Sequence, residues 1–462
     1  MFGAAFCVLA LVGAFVAARR SLAAGLQTML IVGYLYGLAR GRVPDGFTHF
    51  AFDAALLGLY FGFLPRAVTP EIQQRSHAAV MWTRLLVLWP AVCMAYSPVL
   101  EGSQPIAVQL VGLRAWTIMI PCFVLGARVE RNDLDRLAPT LALLNLFALV
   151  IAGIEYRYGV DAVVPLNRTT ELIYLTKDIQ SGSESFHRIP SCFVHSAAYG
   201  ATMLFSIPFI LHGLEGTKRV RLLCIAGLAA AGIGVFLCGS RSPVVLLSVA
   251  TVCTLLSLRM RFATLFGFLI VAAGVVYLVT HNERLQRFES LADTDYVQTR
   301  IGGSVNQSFF DLLRAYPFGN GLASAFGTSI PFFMKPLVTG HVIGIENEYG
   351  RILAEEGIIG LVLWVVFLGW TFTRKNVPRV ATPAATVFGV VIAFIYWAGS
   401  VVGTGVLAGI PTTSMLLILC GMRAAAPARE AATLALRHVG TGRGGRVPRY
   451  SDRAPIASYK NP

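Results

Sequence analysis

Apolar runs of about the length a helix needs to cross a bilayer, roughly 20 residues, follow one another along almost the entire chain. They lie at about 2–18, 22–38, 47–64, 79–96, 106–125, 137–154, 198–213, 222–238, 244–258, 262–279, 358–373, 384–400 and 405–422. Lipid offers no partner for backbone N–H and C=O groups, so only helices and closed barrels can span it. Barrel strands are short and alternate in polarity, which these continuous runs do not. The sequence therefore predicts an all-α, polytopic transmembrane helical bundle of about 12–13 spans, the smaller number applying if the last two, parted only by Gly399–Gly405, form one broken unit.

Composition agrees: 55% of the 462 residues are hydrophobic and 13% charged, too apolar for a soluble domain of this length. The net charge of +14 is no sign of nucleic acid, because the basic residues sit in short turns between apolar runs and in the tail. Of the eight cysteines only Cys192 falls in a long loop and no CxxC occurs, so neither a disulfide framework nor a metal site is expected. Phe2 to Ala18 is apolar from its start with Arg19 and Arg20 behind it, the reverse of a cleavable signal, and is expected to remain as a first span.

The basic turns set the orientation. Arg128, Arg131 and Arg136, then Lys218, Arg219 and Arg221, then Arg259 and Arg261, then Arg374, Lys375 and Arg379, and finally the tail can all lie in the cytoplasm together, leaving the N-terminus outside. Arg40 and Arg42 are the exception and fall on the external side. The expected division is a transmembrane domain over 1–422, a first external loop over 155–197, a large external loop over 280–357 containing short helices, and a basic tail over 423–462. Long loops in compact proteins are usually functional or disordered. The large one is rich in Phe and Tyr and is expected to pack on the bundle. The tail, of Gly, Arg and Pro, is expected to be mobile and drawn to anionic lipid.

Where that loop meets the next span, Glu346, Asn347, Glu348, Tyr349, Gly350 and Arg351 crowd carboxylates, an amide, a phenol and a guanidinium together at the expected water boundary. An ordinary helix start accounts for part of this, with Asn347 as N-cap and Glu348 in the first turn. Helical spacing would also set Glu348 against Arg351 and Arg351 against Glu355, making Arg351 a structural partner. Four other arginines are harder to explain. Arg241 sits in a tight external turn, Arg188 just before the seventh span, Arg300 in the large loop, and Arg114 inside the run 106–125. An intramembrane ionisable group faces a cavity or a partner, and an interfacial arginine can also simply snorkel. Guanidinium groups gathered at one membrane face suit a lipid-linked phosphate or diphosphate, since the fork binds phosphate oxygens bidentately and never loses its proton. His187 and His195 flank Arg188 without a third ligand, so no metal set is expected.

Several of these segments resemble the successive signatures of the O-antigen ligase and O-antigen polymerase superfamily. They are Gly239-Ser240-Arg241-Ser242-Pro243, then Arg300 ahead of Tyr316-Pro317-Phe318-Gly319-Asn320-Gly321, then Glu346-Asn347-Glu348-Tyr349 through Glu356-Gly357-Ile358-Ile359-Gly360-Leu361. Arg188 with Pro190, and Arg114 with Trp116, resemble its upstream elements. The resemblance implies a metal-independent membrane glycosyltransferase without cofactor, in the bacterial inner membrane with its active site on the periplasmic face. It implies an undecaprenyl-diphosphate-linked glycan as substrate and other polysaccharide assembly proteins as partners. Arg188, Arg241 and Arg300 would hold the diphosphate, with Arg114, Tyr349, Arg351 and His341 also at the substrate. Glu348 or Glu346 beside Asn347 would orient or deprotonate the acceptor hydroxyl, Glu348 being the first choice. Ligases commonly carry His-Asn where this chain has Glu346-Asn347, a form more like the polymerases of exopolysaccharide and capsule. Polymerisation is thus the first expectation; a ligase acting on lipid A core, with His341 as substitute base, and a polysaccharide flippase are the alternatives.

Overall fold

A computed structural model describes residues 2–65, 69–100, 102–167, 170, 177–181, 184–258, 298, 308–325, 330–340, 342–343, 345, 347–374, 380–403 and 406–425. The expected span 262–279 and the basic tail beyond 425 lie outside the described residues.

The fold is an all-α helical bundle. Its helices are α1 (Phe2–Arg20), α2 (Leu22–Arg42), α3 (Ala51–Phe63), α4 (Pro70–Tyr96), α5 (Ile106–Thr117), α6 (Cys122–Arg128), α7 (Arg131–Tyr158), α8 (Ser196–His212), α9 (Lys218–Leu237), α10 (Arg241–Ser257), the short α11 (Ser308–Ala315), α12 (Glu348–Thr373), α13 (Pro383–Gly399) and α14 (Thr412–Ala424). Among the described residues eight helical stretches, α5 with α6 counting as one, are long and apolar enough to cross a membrane; α10, α13 and α14 are shorter apolar helices.

Local chemistry sets the helix starts. Ser21 accepts the Ala24 N–H at 3.1 Å ahead of α2. Thr69 and Thr382 each precede a proline at the first turn, of α4 and α13 respectively. Glu130 and Asp133 form a reciprocal capping box at α7. The run 106–125, expected as one span, forms one membrane-length stretch, Ile106–Arg128, made of α5 and α6 with a turn over 118–121 between them.

Because lipid is as apolar as leucine, close backbone approach and buried hydrogen bonds hold the helices together. Gly126 of α6 faces the backbone of Ile418, and Gly421 of α14 faces that of Phe123, so neither position has room for a side chain. Deeper in, Tyr34 donates to Asn145 Oδ1 at 2.7 Å and Asn145 Nδ2 to Ser206 Oγ at 2.7 Å, tying α2, α7 and α8 together. Each such bond contributes about 0.6 kcal/mol.

The long loops gather at one end of the bundle. The first contains an antiparallel hairpin, β1 (Lys177–Ser181) with β2 (Glu184–His187), which the sequence analysis did not foresee. The large loop packs where it is described: Leu312 of α11 with Ala325 sits on Leu353 and Ala354, and Ile330 with Ala323 sits on Val108.

Candidate active site

At the loop end of the bundle the segment Arg188–His195 lies across α2. Its approach is possible because Gly37 has no side chain: a Cβ there would meet Phe193 Cα at 2.6 Å. Ser191 takes a left-handed conformation, φ 54°. Two buried bonds hold it there, its N–H to Glu155 Oε2 at 2.7 Å and its hydroxyl to Ala148 O at 2.6 Å. The segment ends on His195, which serves as N-cap of α8 by accepting the Ala198 N–H on Nδ1 at 3.1 Å. Replacing Gly37 with alanine is expected to push the segment off α2 and cut turnover about 100-fold, the scale of a 1 Å misplacement. Unchanged turnover in a transfer assay would show that the segment's position does not matter.

Beneath this segment lies a cavity of about 650 Å³ including its open mouth, lined by Tyr36, Arg40, His49, Arg114, Val194 and His195 among others. Arg114 Nε donates to Asp53 Oδ2 at 2.5 Å, and its guanidinium lies over the Phe50 ring at 5.2 Å. Arg40 Nη2 meets His49 Nε2 at 3.4 Å and stacks on Tyr36 at 5.4 Å. A guanidinium can only donate, so His49 Nε2 is the acceptor. Phe332 and Phe333 of the large loop pack on His49, with ring centroids 5.5 and 5.7 Å away. Arg114 is thus both paired and at a cavity wall, the two alternatives an intramembrane arginine offers.

Arg188 and Arg241 approach the same region. Arg188 acts electrostatically on both His195 and Cys238. A Cβ at Gly200, in the second turn of α8, would lie 2.5 Å from Cys238 Sγ and 2.9 Å from Pro243 Cγ, so the start of α8 abuts the turn that begins α10. Ser240, the N-cap residue of α10, makes no side-chain cap hydrogen bond. Arg300, His341 and Glu346 lie outside the described residues.

The Asn347 stretch departs from expectation. It was expected at the water boundary, but Glu348, Arg351, Glu355 and Glu356 are all buried. Asn347 caps the helix through Gly350 N–H. Arg351 donates to Glu348 Oε1 at 3.3 Å and to Glu355 Oε1 at 3.5 Å, and its guanidinium lies 4.7 Å from the Trp116 ring. Trp116 in turn donates to Glu355 Oε2 at 2.5 Å, and Val406 N–H to Glu348 Oε2 at 3.3 Å. Glu348, the first choice for a base, is 0% exposed, with one oxygen on Arg351 and the other on the Val406 N–H. Tyr349, expected at the substrate, donates to Trp397 O at 3.0 Å.

Gly357 breaks α12 at φ 72°, ψ −171°, a region essentially restricted to glycine. The Pro317–Asn320 segment docks into that break, with Ile358 N–H on Pro317 O at 2.9 Å and Asn320 N–H on Ala354 O at 2.7 Å. Two sequence signatures far apart in the chain therefore interlock. The stretch also connects to the cavity twice: α5 carries Arg114 and Trp116 two residues apart, and the chain that bonds Glu348 at Val406 goes on to line the cavity at Ala408–Ile410.

Sequence reasoning missed Arg40, His49, Asp53 and Glu155. The signal for Arg40 was present: Arg40 and Arg42 were the pair that broke the positive-inside pattern. Among the described residues no group of His, Cys, Asp and Glu could hold a metal ion.

No curated protein matches the chain. Residues 226–365, less than a third of the chain, match the family model of O-antigen ligase. That segment holds Ser240, Arg241 and the interlocked Pro317–Asn320 and Asn347–Gly357 signatures, and the match supports the resemblance of these segments to the O-antigen ligase and polymerase superfamily.

Proposed function

We propose that the protein is a glycosyltransferase polymerising undecaprenyl-diphosphate-linked oligosaccharide repeats on the periplasmic face of the inner membrane. The observation that carries this reading is a cavity walled by Arg40 and Arg114, with Arg188 acting on its His195 wall and on Cys238 in the turn that leads to α10. In the reaction the acceptor oxygen bonds to the anomeric carbon of the donor glycan. The bond from that carbon to the diphosphate oxygen breaks, and its electron pair stays on the diphosphate. Arg188, Arg241, the N–H groups of α10 and Arg300 stabilise the charge as it grows, which lowers the barrier itself. The hydroxyl proton passes to a carboxylate. With Glu348 engaged by Arg351 and the Val406 N–H, we assign that role to Glu346, the residue before the Asn347 cap. A Glu-Asn pair in place of the ligase His-Asn favours polymerisation over ligation.

The test is incubation of purified protein with carrier-linked oligosaccharide alone. A ladder of lengths is expected; a single transfer that requires added lipid A core would identify a ligase, and no product with either would leave a transporter. Replacing Glu346 with glutamine is expected to slow polymerisation about 100-fold or more while leaving donor binding intact. A rate within a few-fold of the parent would remove Glu346 from the proton transfer.

A further inference from the structure

Glu155 of α7 is a buried carboxylate to which the reaction above gives no part. We infer that it is a positioning residue for the transfer: by holding Ser191 in its left-handed conformation, Glu155 sets where Arg188 meets the departing diphosphate. The inference rests on the diphosphate-donor reading.

Pro190 to Phe193 forms a tight turn, closed by the Phe193 N–H on Pro190 O at 3.1 Å, and Ser191 is its second residue. A positive φ at that position ordinarily belongs to Gly, Asn or Asp, so a serine at φ 54° has to be held there. The Ser191 hydroxyl is tied to Ala148 O, and its buried N–H finds an acceptor in Glu155 Oε2 at 2.7 Å. Without Glu155 that N–H would be left buried and unpaired, and the turn would shift to find it another partner.

The residues on either side of the turn carry its position to Arg188. Downstream, Phe193 packs on Tyr34 and Tyr199, with ring centroids 5.1 and 5.8 Å away, so the bundle fixes that end. Upstream, Pro190 has a fixed φ and holds Ile189 extended, and both residues are buried. Little freedom is left between Ser191 and Arg188, and a shift of the turn therefore moves Arg188 with it. Glu155 does this as a hydrogen-bond acceptor through one oxygen. Its Oε1 is buried and has no hydrogen-bond partner among the described residues. Glutamine can thus present its carbonyl oxygen to the Ser191 N–H without breaking another bond of this side chain.

The test measures turnover of the carrier-linked donor and binding of farnesyl diphosphate by the purified full chain. The parent is compared with Glu155→Met, which keeps the length and removes the acceptor, and with Glu155→Gln, each also in an Arg188→Ala background. Glu155→Met is expected to lower turnover about 100-fold, the scale of a misplacement of about 1 Å, and Glu155→Gln to stay within a few-fold of the parent. Where Arg188 is already alanine, Glu155→Met should cost only a few-fold more, because the group it positions is gone. Ser191→Gly and Ser191→Ala probe the same turn with Glu155 intact. Both lose the hydroxyl and only glycine takes φ 54° freely, so Ser191→Gly should bind farnesyl diphosphate about fivefold more tightly than Ser191→Ala. The inference is overturned, with the diphosphate reading left standing, by parental turnover in Glu155→Met, by a Glu155→Met loss that multiplies in full with that of Arg188→Ala, by a Glu155→Gln variant as impaired as Glu155→Met, or by equal affinity in the two Ser191 variants. Failure of the parent to bind farnesyl diphosphate overturns the diphosphate reading, and the inference with it.

Discussion

Replacing Arg241 with alanine is expected to lower turnover of a carrier-linked glycan by about 100- to 1,000-fold, the scale at which a group aimed at developing charge contributes. Expression and membrane insertion should be unchanged. Arg241 is the first residue of α10, where the helix dipole and a guanidinium both favour a negative charge. Arg241→Lys keeps the charge but not the fork and should recover only part of the rate. Because Arg188 approaches the same region, the Arg188→Ala and Arg241→Ala losses should not add, and the double variant should be less impaired than the product of the two. The check is a length ladder from purified parent and variants at equal concentration. Normal product from Arg241→Ala would end its part in supporting the leaving group.

The bundle was legible because its cause is periodic and local. Apolar runs of bilayer length, basic turns and caps such as Ser21, Thr69 and Asn347 are all written in short stretches, and the helices follow them. The run 106–125 was read as one span and stands as one, while the turn within it before Pro121 left no trace in hydropathy, which carries no record of backbone hydrogen bonds. For the site the balance is different. The sequence named Arg188, Arg241 and Arg114; Arg114 lines the cavity and Arg188 acts on its His195 wall. It did not show that Glu348 is buried, because burial is a tertiary property: the same Asn-Glu pair begins an exposed helix or a sunken one depending on what covers it. Here Trp116, Val406 and the docked Pro317–Asn320 segment do so. Asp53, Glu155 and His49 carried no signal of their own, since each acts through a partner more than thirty residues away or through packing. Arg40 did carry one. Its conflict with the positive-inside pattern was accepted as an exception when it marked the cavity wall.

The largest effect on stability is expected at Arg351. Its guanidinium sits between two carboxylates, Glu348 and Glu355, both almost wholly buried, and stacks on Trp116. Removing one member of a buried ionic network leaves the others uncompensated, a loss of about 3–5 kcal/mol, whereas replacing the whole network with neutral groups of similar volume is often tolerated. Arg351→Ala should therefore lower the melting temperature of the detergent-solubilised protein sharply and loosen the Pro317–Asn320 segment, which docks on the same helix through Ala354 and Ile358. The triple variant Arg351→Met, Glu348→Gln, Glu355→Gln should regain most of that stability. Its glutamines can still accept the Val406 N–H and the Trp116 N–H. The two variants separate architecture from chemistry. If these three residues serve to seat the Asn347 helix, the triple variant should recover polymerisation along with its fold. A triple variant that melts like the parent yet makes no polymer would instead assign Glu348, Arg351 or Glu355 a direct part in the transfer. In that case the inward-facing half of α12 would have to open toward the cavity during turnover.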